Sequence, residues 1–391
     1  MQRARFTASE VACALFVPVG LITVMLGPLL PVLSERWSLT DTQGGNLVTA
    51  QFLGSLFGTV LSGPLVSRLA FRRTMVLGVV LMALGVATLI GGSYLWAAVS
   101  IFCYGAGIGI TVPTTNLLVA RTAGPERAAS LNLLNFFWSA GAVACPFLLV
   151  FILAHGGVGT FLLLLVGVFV VLFVAFLLVP VPHTDTELNP ASSEAIGRLP
   201  MSLMVLFTAL FFLYVGTESA LGSWLATYAK RSGDHDGGRW ITVPAYFYGA
   251  LLLGRLVAAW ALRRISAITQ ARLASLLATA GVAALLYSRT TSGIALTAAI
   301  IGLGLSTLYP IAIGLASVGL GAAAERIMGT LFAFSTLGGA CVPWLVGFLS
   351  THYGNLRTAL LIPLAGCAAI AALYWNRALN SSRDASVAAA Q

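Results

Sequence analysis

Charge is what this chain has least of. Only 8% of its 391 residues are Asp, Glu, Lys or Arg and 59% are hydrophobic, whereas soluble domains carry roughly a quarter charged residues. Such a chain cannot cover a globule in water, so the composition is that of a membrane protein. Its apolar runs also lack the polar–apolar alternation of ~10-residue barrel strands, which leaves membrane-spanning helices. Acids are scarcer than bases, giving a net charge of +9. The bases sit in short loops between apolar runs, the footprint of membrane orientation rather than of a nucleic-acid surface. The five cysteines, Cys13, Cys103, Cys145, Cys341 and Cys367, all fall in apolar segments, with no CxxC pair. They read as buried small hydrophobes, without a disulfide framework or a metal site. The four histidines, His155, His183, His235 and His352, read as loop residues, and a metal centre is not expected. No strand precedes the glycine-rich "GAGIG" at Gly105–Gly109 and no lysine follows it, so it is not a phosphate-binding loop. With no ATPase domain and no nucleophile–base arrangement, enzyme chemistry is not expected and no cofactor is implied.

What is present is a series of twelve apolar spans, near 9–33, 42–66, 74–91, 95–119, 128–153, 158–181, 201–229, 240–262, 271–288, 293–318, 326–349 and 354–377. The first is too long for the core of a signal peptide and reads as a retained helix. The longest polar break, "HTDTELNPASSEAIGRLP", divides the chain into a six-helix bundle at 1–182, a cytoplasmic linker at 183–200 and a second bundle at 201–379. A disordered tail follows at 380–391. With both termini in the cytoplasm, fourteen Arg or Lys residues face the cytoplasm and six face outside; the opposite orientation inverts the ratio. The halves repeat at an offset of 197. Gly105, Gly107, Pro113, Gly141 and Pro146 recur as Gly302, Gly304, Pro310, Gly338 and Pro343. The plainer explanation is that membrane helices are rich in Gly and Pro, but five coincidences at one offset favour duplication. The expected fold is therefore all-α, with two pseudo-symmetric six-helix bundles that hold a ligand near the midplane and work by rocking. Close pairs such as Gly54/Gly58 suit helices that must approach and slide.

The loop "GPLVSRLAFRR" (Gly63–Arg73) resembles the cytoplasmic loop signature of the major facilitator superfamily, and the twelve-span pattern extends that resemblance over nearly the whole chain. Gly63, Arg68 and Arg72 or Arg73 match, while Ser67 replaces the usual acid and Ala70 the second glycine. The later copy, "GRLVAAWALRR" (Gly254–Arg264), is degenerate too. The resemblance implies a cytoplasmic gate at this loop, drawn here from Arg68, Arg255, Glu126 and Glu325. "LYVGTESALGSWLATY" on span seven and "SLNLLNFFWSAGAVACP" on span five are similar to the fucose permease group of sugar transporters. That implies a monosaccharide carrier of the inner, cytoplasmic membrane. The group's carboxylates on spans one and four are not matched here beyond Glu10, so its coupling residues do not carry over.

Glu218 stands in span seven between Gly216 and Gly222. A charge at membrane depth costs roughly 2.5–3.5 kcal/mol on insertion scales, so it needs a reason. One reason is a packing or salt-bridge acid; the other is proton coupling. Arg255 is the only other deep charge. Counted from the cytoplasmic ends at ~1.5 Å per residue, Glu218 lies ~25 Å deep and Arg255 ~10 Å, a gap of ~15 Å that no direct bond spans. Glu218 is thus expected to be a proton carrier, and Arg255 part of the inner gate. Tyr214, Glu218, Trp224 and Tyr228 share a 120° arc of an ideal helix; Trp224 and Tyr228 are either an interfacial aromatic belt or an outer gate. On span five, Asn132, Asn135 and Ser139 share an arc with Trp138 beside them. Amides donate and accept to sugar hydroxyls, and an indole packs on the C–H face of a sugar. Gln51, Asn116, Tyr214 and Tyr309 extend the candidate substrate set.

The expected function is proton symport of a neutral hexose-like sugar. Sodium coupling or uncoupled transport are alternatives within the class. An exporter of drugs or metabolites on the same fold is another, against which the asparagine pair counts. A non-transporting sensor lacks any signalling domain in the sequence. The expected partners are a small sugar and membrane lipid, with the carrier a monomer and no nucleic acid bound.

Overall fold

The computed structural model describes residues 8–123, 127–178, 201–234, 237–261, 264–320 and 324–376. The expected linker and the tail from 380 lie outside this set. The described residues form α-helices and one short 3-10 turn, with no strand. The chain clusters into two compact units, Met1–Leu39 with Asn46–Leu188, and Thr40–Gly45 with Asn189–Gln391.

The first unit holds α1 (Ala8–Val24), α2 (Leu26–Trp37), most of α3 (Asp41–Leu89), α4 (Tyr94–Thr122), α5 (Arg127–His155) and α6 (Gly157–Leu178). The second holds α7 (Met201–Ser232), α8 (Val243–Ala261), α9 (Ala267–Tyr287), α10 (Thr291–Leu305), α11 (Leu308–Gly319), α12 (Ala324–Tyr353), α13 (Leu356–Ala359) and α14 (Leu361–Tyr374). Helices α13 and α14, parted only by Leu360, make one span, and the twelve spans follow once three further features are read physically. Helices α1 and α2 form a single span bent by 44°. Pro28 has no N–H to return to the turn before it, which is where a helix bends. Helix α3 is two spans joined at Ala70, whose φ of 63° and ψ of 166° are not helical. Helices α10 and α11 make one span broken at Ser306 and Thr307, where Pro310 withholds the donor that would carry the helix through.

Ala70 stands where the loop signature that this segment resembles has glycine. Its backbone lies in a region that is essentially glycine's alone and costs other residues about 1–3 kcal/mol. Ala70→Gly is therefore expected to stabilise the protein by about 1 kcal/mol, after the greater freedom of glycine in the unfolded chain is deducted. A thermal-melt comparison in detergent checks this; an unchanged or lower midpoint contradicts the strain at Ala70.

The repeated glycines carry the same contacts in both units. A β-carbon on Gly105 of α4 would collide with the Gln51 carbonyl of α3, and one on Gly302 of α10 with the Phe247 carbonyl of α8. Gly107 packs against Gly78 and Met82, and Gly304 against Ala278 and Ala274 of α9. Gly141 of α5 meets the Val17 carbonyl of α1, and Gly338 of α12 the Phe212 carbonyl of α7. The matched residues thus play matched parts, each letting two backbones touch, as lipid-embedded packing requires. Gly54 and Gly58 do the same against Phe102 and Ala106 inside the first unit. The arginines repeat as well. Arg72 Nε donates to the Phe176 carbonyl at 2.9 Å, and Arg272 Nε to the Tyr374 carbonyl at 3.0 Å. Each ties the start of a unit's third span to the last turn of its sixth.

Hydroxyls inside the helices are largely spent on carbonyls one turn back, as Thr23 on Val19, Ser100 on Trp96 and Thr279 on Ser275. This satisfies polar groups where lipid offers no partner. Of the cysteines expected to be buried, Cys145 and Cys367 are, Cys13 and Cys103 are half-buried and Cys341 is exposed. His155 and His352 end helices α5 and α12 rather than lying in loops.

Candidate functional site

Glu218 sits on α7 one turn beyond Tyr214, so the two side chains share a helix face. Tyr214 is buried, at 3% exposure, and neighbours both Glu218 and Arg255 of α8. The charge of Arg255 acts on Glu218, which corrects the ~15 Å gap expected from helix counting. Helix α7 is 32 residues long, or ~48 Å, and overshoots a ~30 Å hydrocarbon core. Its cytoplasmic end is therefore a false origin. From the other end, Glu218 precedes the close of α7 at Ser232 by fourteen residues, and Arg255 follows the start of α8 at Val243 by twelve. Those counts give ~21 and ~18 Å, the same depth within one turn. Arg255 therefore lies beside Glu218.

The trio is close but not closed. Glu218 and Arg255 form no ion pair among the described residues, and Tyr214 Oη and Arg255 Nε are buried without a hydrogen-bond partner. Such atoms ordinarily find partners. An aromatic wall stands beside them. Tyr309 stacks on Tyr214 with ring centroids 5.1 Å apart and planes 21° from parallel. Phe211 leans on Tyr309 at 5.2 Å and on Phe332 of α12 at 5.9 Å. Ser335 lies beside Tyr309. The α10–α11 break adjoins this wall. Gly254, next to Arg255, leaves no room for a β-carbon against Ser306, and the Thr307 hydroxyl is buried and unpartnered. A broken helix beside a polar cluster is a recurrent feature of transporter ligand sites. The site in this unit thus offers donors, a carboxyl group and flat aromatic faces. Helix spacing and the Glu218 signal pointed to Tyr214. Phe211, Thr307, Phe332 and Ser335 escaped notice because single apolar or hydroxyl residues in apolar helices look like packing.

In the first unit, Asn132 and Asn135 are both exposed on α5. Asn135 donates to the Leu131 carbonyl at 2.9 Å, and Ser139 donates to the Asn135 carbonyl at 2.9 Å. Trp138 packs on the cluster of Ala12, Phe16, Val119 and Leu134, drawn from α1, α4 and α5. Gln51 is committed on both sides of its amide: it donates to the Thr23 carbonyl at 2.8 Å and accepts from Tyr104 Oη at 2.9 Å. Asn116 donates to the Val112 carbonyl of its own helix at 3.0 Å. These bonds stay within and between helices of the first unit.

Trp224 and Tyr228 form neither an exposed lid nor an interfacial belt in this structure. Both are 1% exposed. Trp224 Nε1 donates to the Pro343 carbonyl at 3.0 Å, and Tyr228 Oη to the Leu285 carbonyl at 3.2 Å. They fasten α7 to α12 and α9. Of the gate residues, Arg68 is exposed, Glu126 lies outside the described residues, and Glu325 lies on α12 with its side chain outside them.

The second unit also holds an ion pair that the sequence reading did not find. Arg231 at the end of α7 makes a bidentate contact to Asp41, at 2.6 and 2.7 Å, and Ser350 donates to the same carboxylate at 2.5 Å. Thr42 N–H donates to the Thr351 hydroxyl at 2.9 Å. These contacts lie within the second unit, to which Thr40–Gly45 belongs. Nearby, Asp234 caps α10 by accepting from the Thr291 N–H. That bond holds the Asp234 carboxyl below its usual range. Its contribution is therefore present above the ordinary carboxylate range and lost as pH falls through the lowered value.

A family model described as Major Facilitator Superfamily matches residues 12–339. A glucose/galactose transporter of Brucella abortus is 29% identical over 383 residues, covering 92% of this chain and 91% of that relative. The L-fucose-proton symporter of Escherichia coli is 25% identical over 405 residues, covering 93% and 91%. Among solved structures, the E. coli fucose:proton symporter superposes with a TM-score of 0.65 at 21% identity, covering 94% of this chain and 97% of the other. A D-xylose-proton symporter superposes with a TM-score of 0.77 at 14% identity, covering 94% and 96%. At those identities the structures establish the fold.

Proposed function

The chain belongs to the major facilitator superfamily, a family of multi-pass membrane carriers rather than enzymes, and we propose that it transports a neutral hexose-like monosaccharide by alternating access, coupled to a proton carried on Glu218. The observation that carries this reading is the run of likeness to a glucose/galactose transporter over nine-tenths of both chains. The chemistry of the second unit supports it. Stacked tyrosines suit the C–H faces of a pyranose. Free hydrogen-bonding groups suit its hydroxyls. A carboxyl group without a closed ion pair is the group there that can take up and release a proton. Where the reported relatives name a coupling ion, it is the proton, so sodium is not needed in the account. The excess of bases on one side of the spans supports a cytoplasmic-membrane orientation with both termini inside.

The test is uptake into proteoliposomes holding the purified carrier. Labelled glucose and galactose should enter faster than into empty vesicles and be competed by unlabelled hexose, not by cationic drugs. Saturable uptake of the drugs, with no hexose entry, would move the protein to the exporter reading.

A further inference from the structure

The sequence reading centred sugar recognition on span five, with Gln51, Asn116, Tyr214 and Tyr309 added, and gave Arg255 to the inner gate. The surroundings of Arg255 in the second unit point to a different role. Arg255 Nε is buried with no hydrogen bond closed, and Tyr214 Oη, within reach of both Arg255 and Glu218, has closed none either. Glu218, on the same face of α7, lies within the electrostatic reach of Arg255 without closing an ion pair. Nε can only donate, the tyrosine hydroxyl donates or accepts, and a carboxyl oxygen accepts whether or not the group carries its proton. One ligand chemistry satisfies all three at once. A pair of neighbouring sugar hydroxyls can accept from the guanidinium and the phenol and donate to a carboxyl oxygen of Glu218 in the proton-loaded carrier. The position suits such a ligand, since the Tyr214–Tyr309 stack lies alongside and the helix break at Ser306–Thr307 packs against the residue next to Arg255. Arg72 and Arg272, by contrast, each close their Nε bond on a carbonyl.

We propose that Arg255 is a specificity-determining residue that binds substrate directly, reading one vicinal diol of the hexose together with Tyr214 and Glu218. The inference rests on the sugar-carrier reading above and adds the part of the sugar that is read and the group that reads it. At one ring position, the hydroxyl facing Arg255 both accepts and donates. Removing it should weaken binding about tenfold to a hundredfold, the scale of a hydrogen bond to a charged group. Fluorine there, which weakly accepts and cannot donate, should fall between.

The test is competition of labelled hexose exchange by a panel of singly deoxygenated and singly fluorinated glucose and galactose analogues. It uses the wild-type carrier and the Arg255→Gln and Arg255→Lys variants, with exchange chosen because it does not need net proton movement. The expected result is one or two adjacent positions at which the wild type discriminates strongly and Arg255→Gln does not. Lysine should restore part of the discrimination, since it keeps the charge but not the planar fork. A variant that is weaker overall yet keeps the wild-type ranking at every position would make Arg255 structural and overturn the proposal. If Arg255→Gln does not fold, the same profile on Tyr214→Phe decides: discrimination unchanged at all positions sinks the diol reading. Absence of exchange with every hexose in the wild type would instead remove the sugar-carrier reading on which the inference stands.

Discussion

Replacing Glu218 by Gln is expected to abolish accumulation of sugar against a gradient while leaving exchange of sugar across the membrane in place. Glutamine keeps the length of the side chain and its capacity to hydrogen-bond, but it cannot take up and release a proton. With one proton per sugar, an inward gradient of one pH unit supports about tenfold accumulation, since one unit corresponds to 1.36 kcal/mol. In the variant the ratio should fall to about one, with labelled and unlabelled sugar still trading places. The effect is large because Glu218 is the one carboxyl group, among the described residues, that acts on Tyr214 and Tyr309 in this cluster. Accumulation that survives in the variant would assign coupling elsewhere.

The second large effect belongs to packing. Gly141→Leu and Gly338→Leu should each leave little folded carrier, and the alanine variants should be destabilised by about 1–3 kcal/mol. A β-carbon at either site would strike a backbone carbonyl, of Val17 and of Phe212 respectively. A side chain can rotate away from such a clash, but a helix backbone must move. Displacing it would open the α1–α5 contact in one unit and the α7–α12 contact in the other. Gly249 and Gly314 are the controls, because nothing lies within 4 Å of a β-carbon there. Their alanine variants should be neutral or slightly stabilising, given the helix preference for alanine. Fluorescence-detected size-exclusion and thermal melts would register the contrast. Equal tolerance at all four positions would undo the argument that the repeated glycines are matched close contacts.

The fold was legible because membrane helices announce themselves by composition, and the duplication by matched glycines and prolines whose jobs turn out to be matched too. Even Ala70, seen in the sequence only as a departure from a signature, marks the turn where α3 changes course. The site was legible in part. A lone acid in an apolar helix is a strong signal, and Glu218 and Tyr214 followed from it. Arg255 was misplaced because depth was counted from an end of α7 that projects past the membrane. Trp224 and Tyr228 were read by their height along the helix, which carries no information on whether an indole or phenol turns inward to a carbonyl. The aromatic wall of Phe211, Tyr309 and Phe332 depends on three helices meeting, and only Tyr309 had a polar atom to draw attention to it.

The central claim is that sugar and proton move together through Glu218. The most direct measurement follows external pH when sugar is added to lightly buffered, de-energised proteoliposomes without sodium. The account predicts prompt alkalinisation outside with hexose, none with a non-substrate polyol, and none with hexose in the Glu218→Gln carrier. Sugar entry down its gradient with no pH change, or a pH change of wild-type size in the glutamine variant, would contradict it.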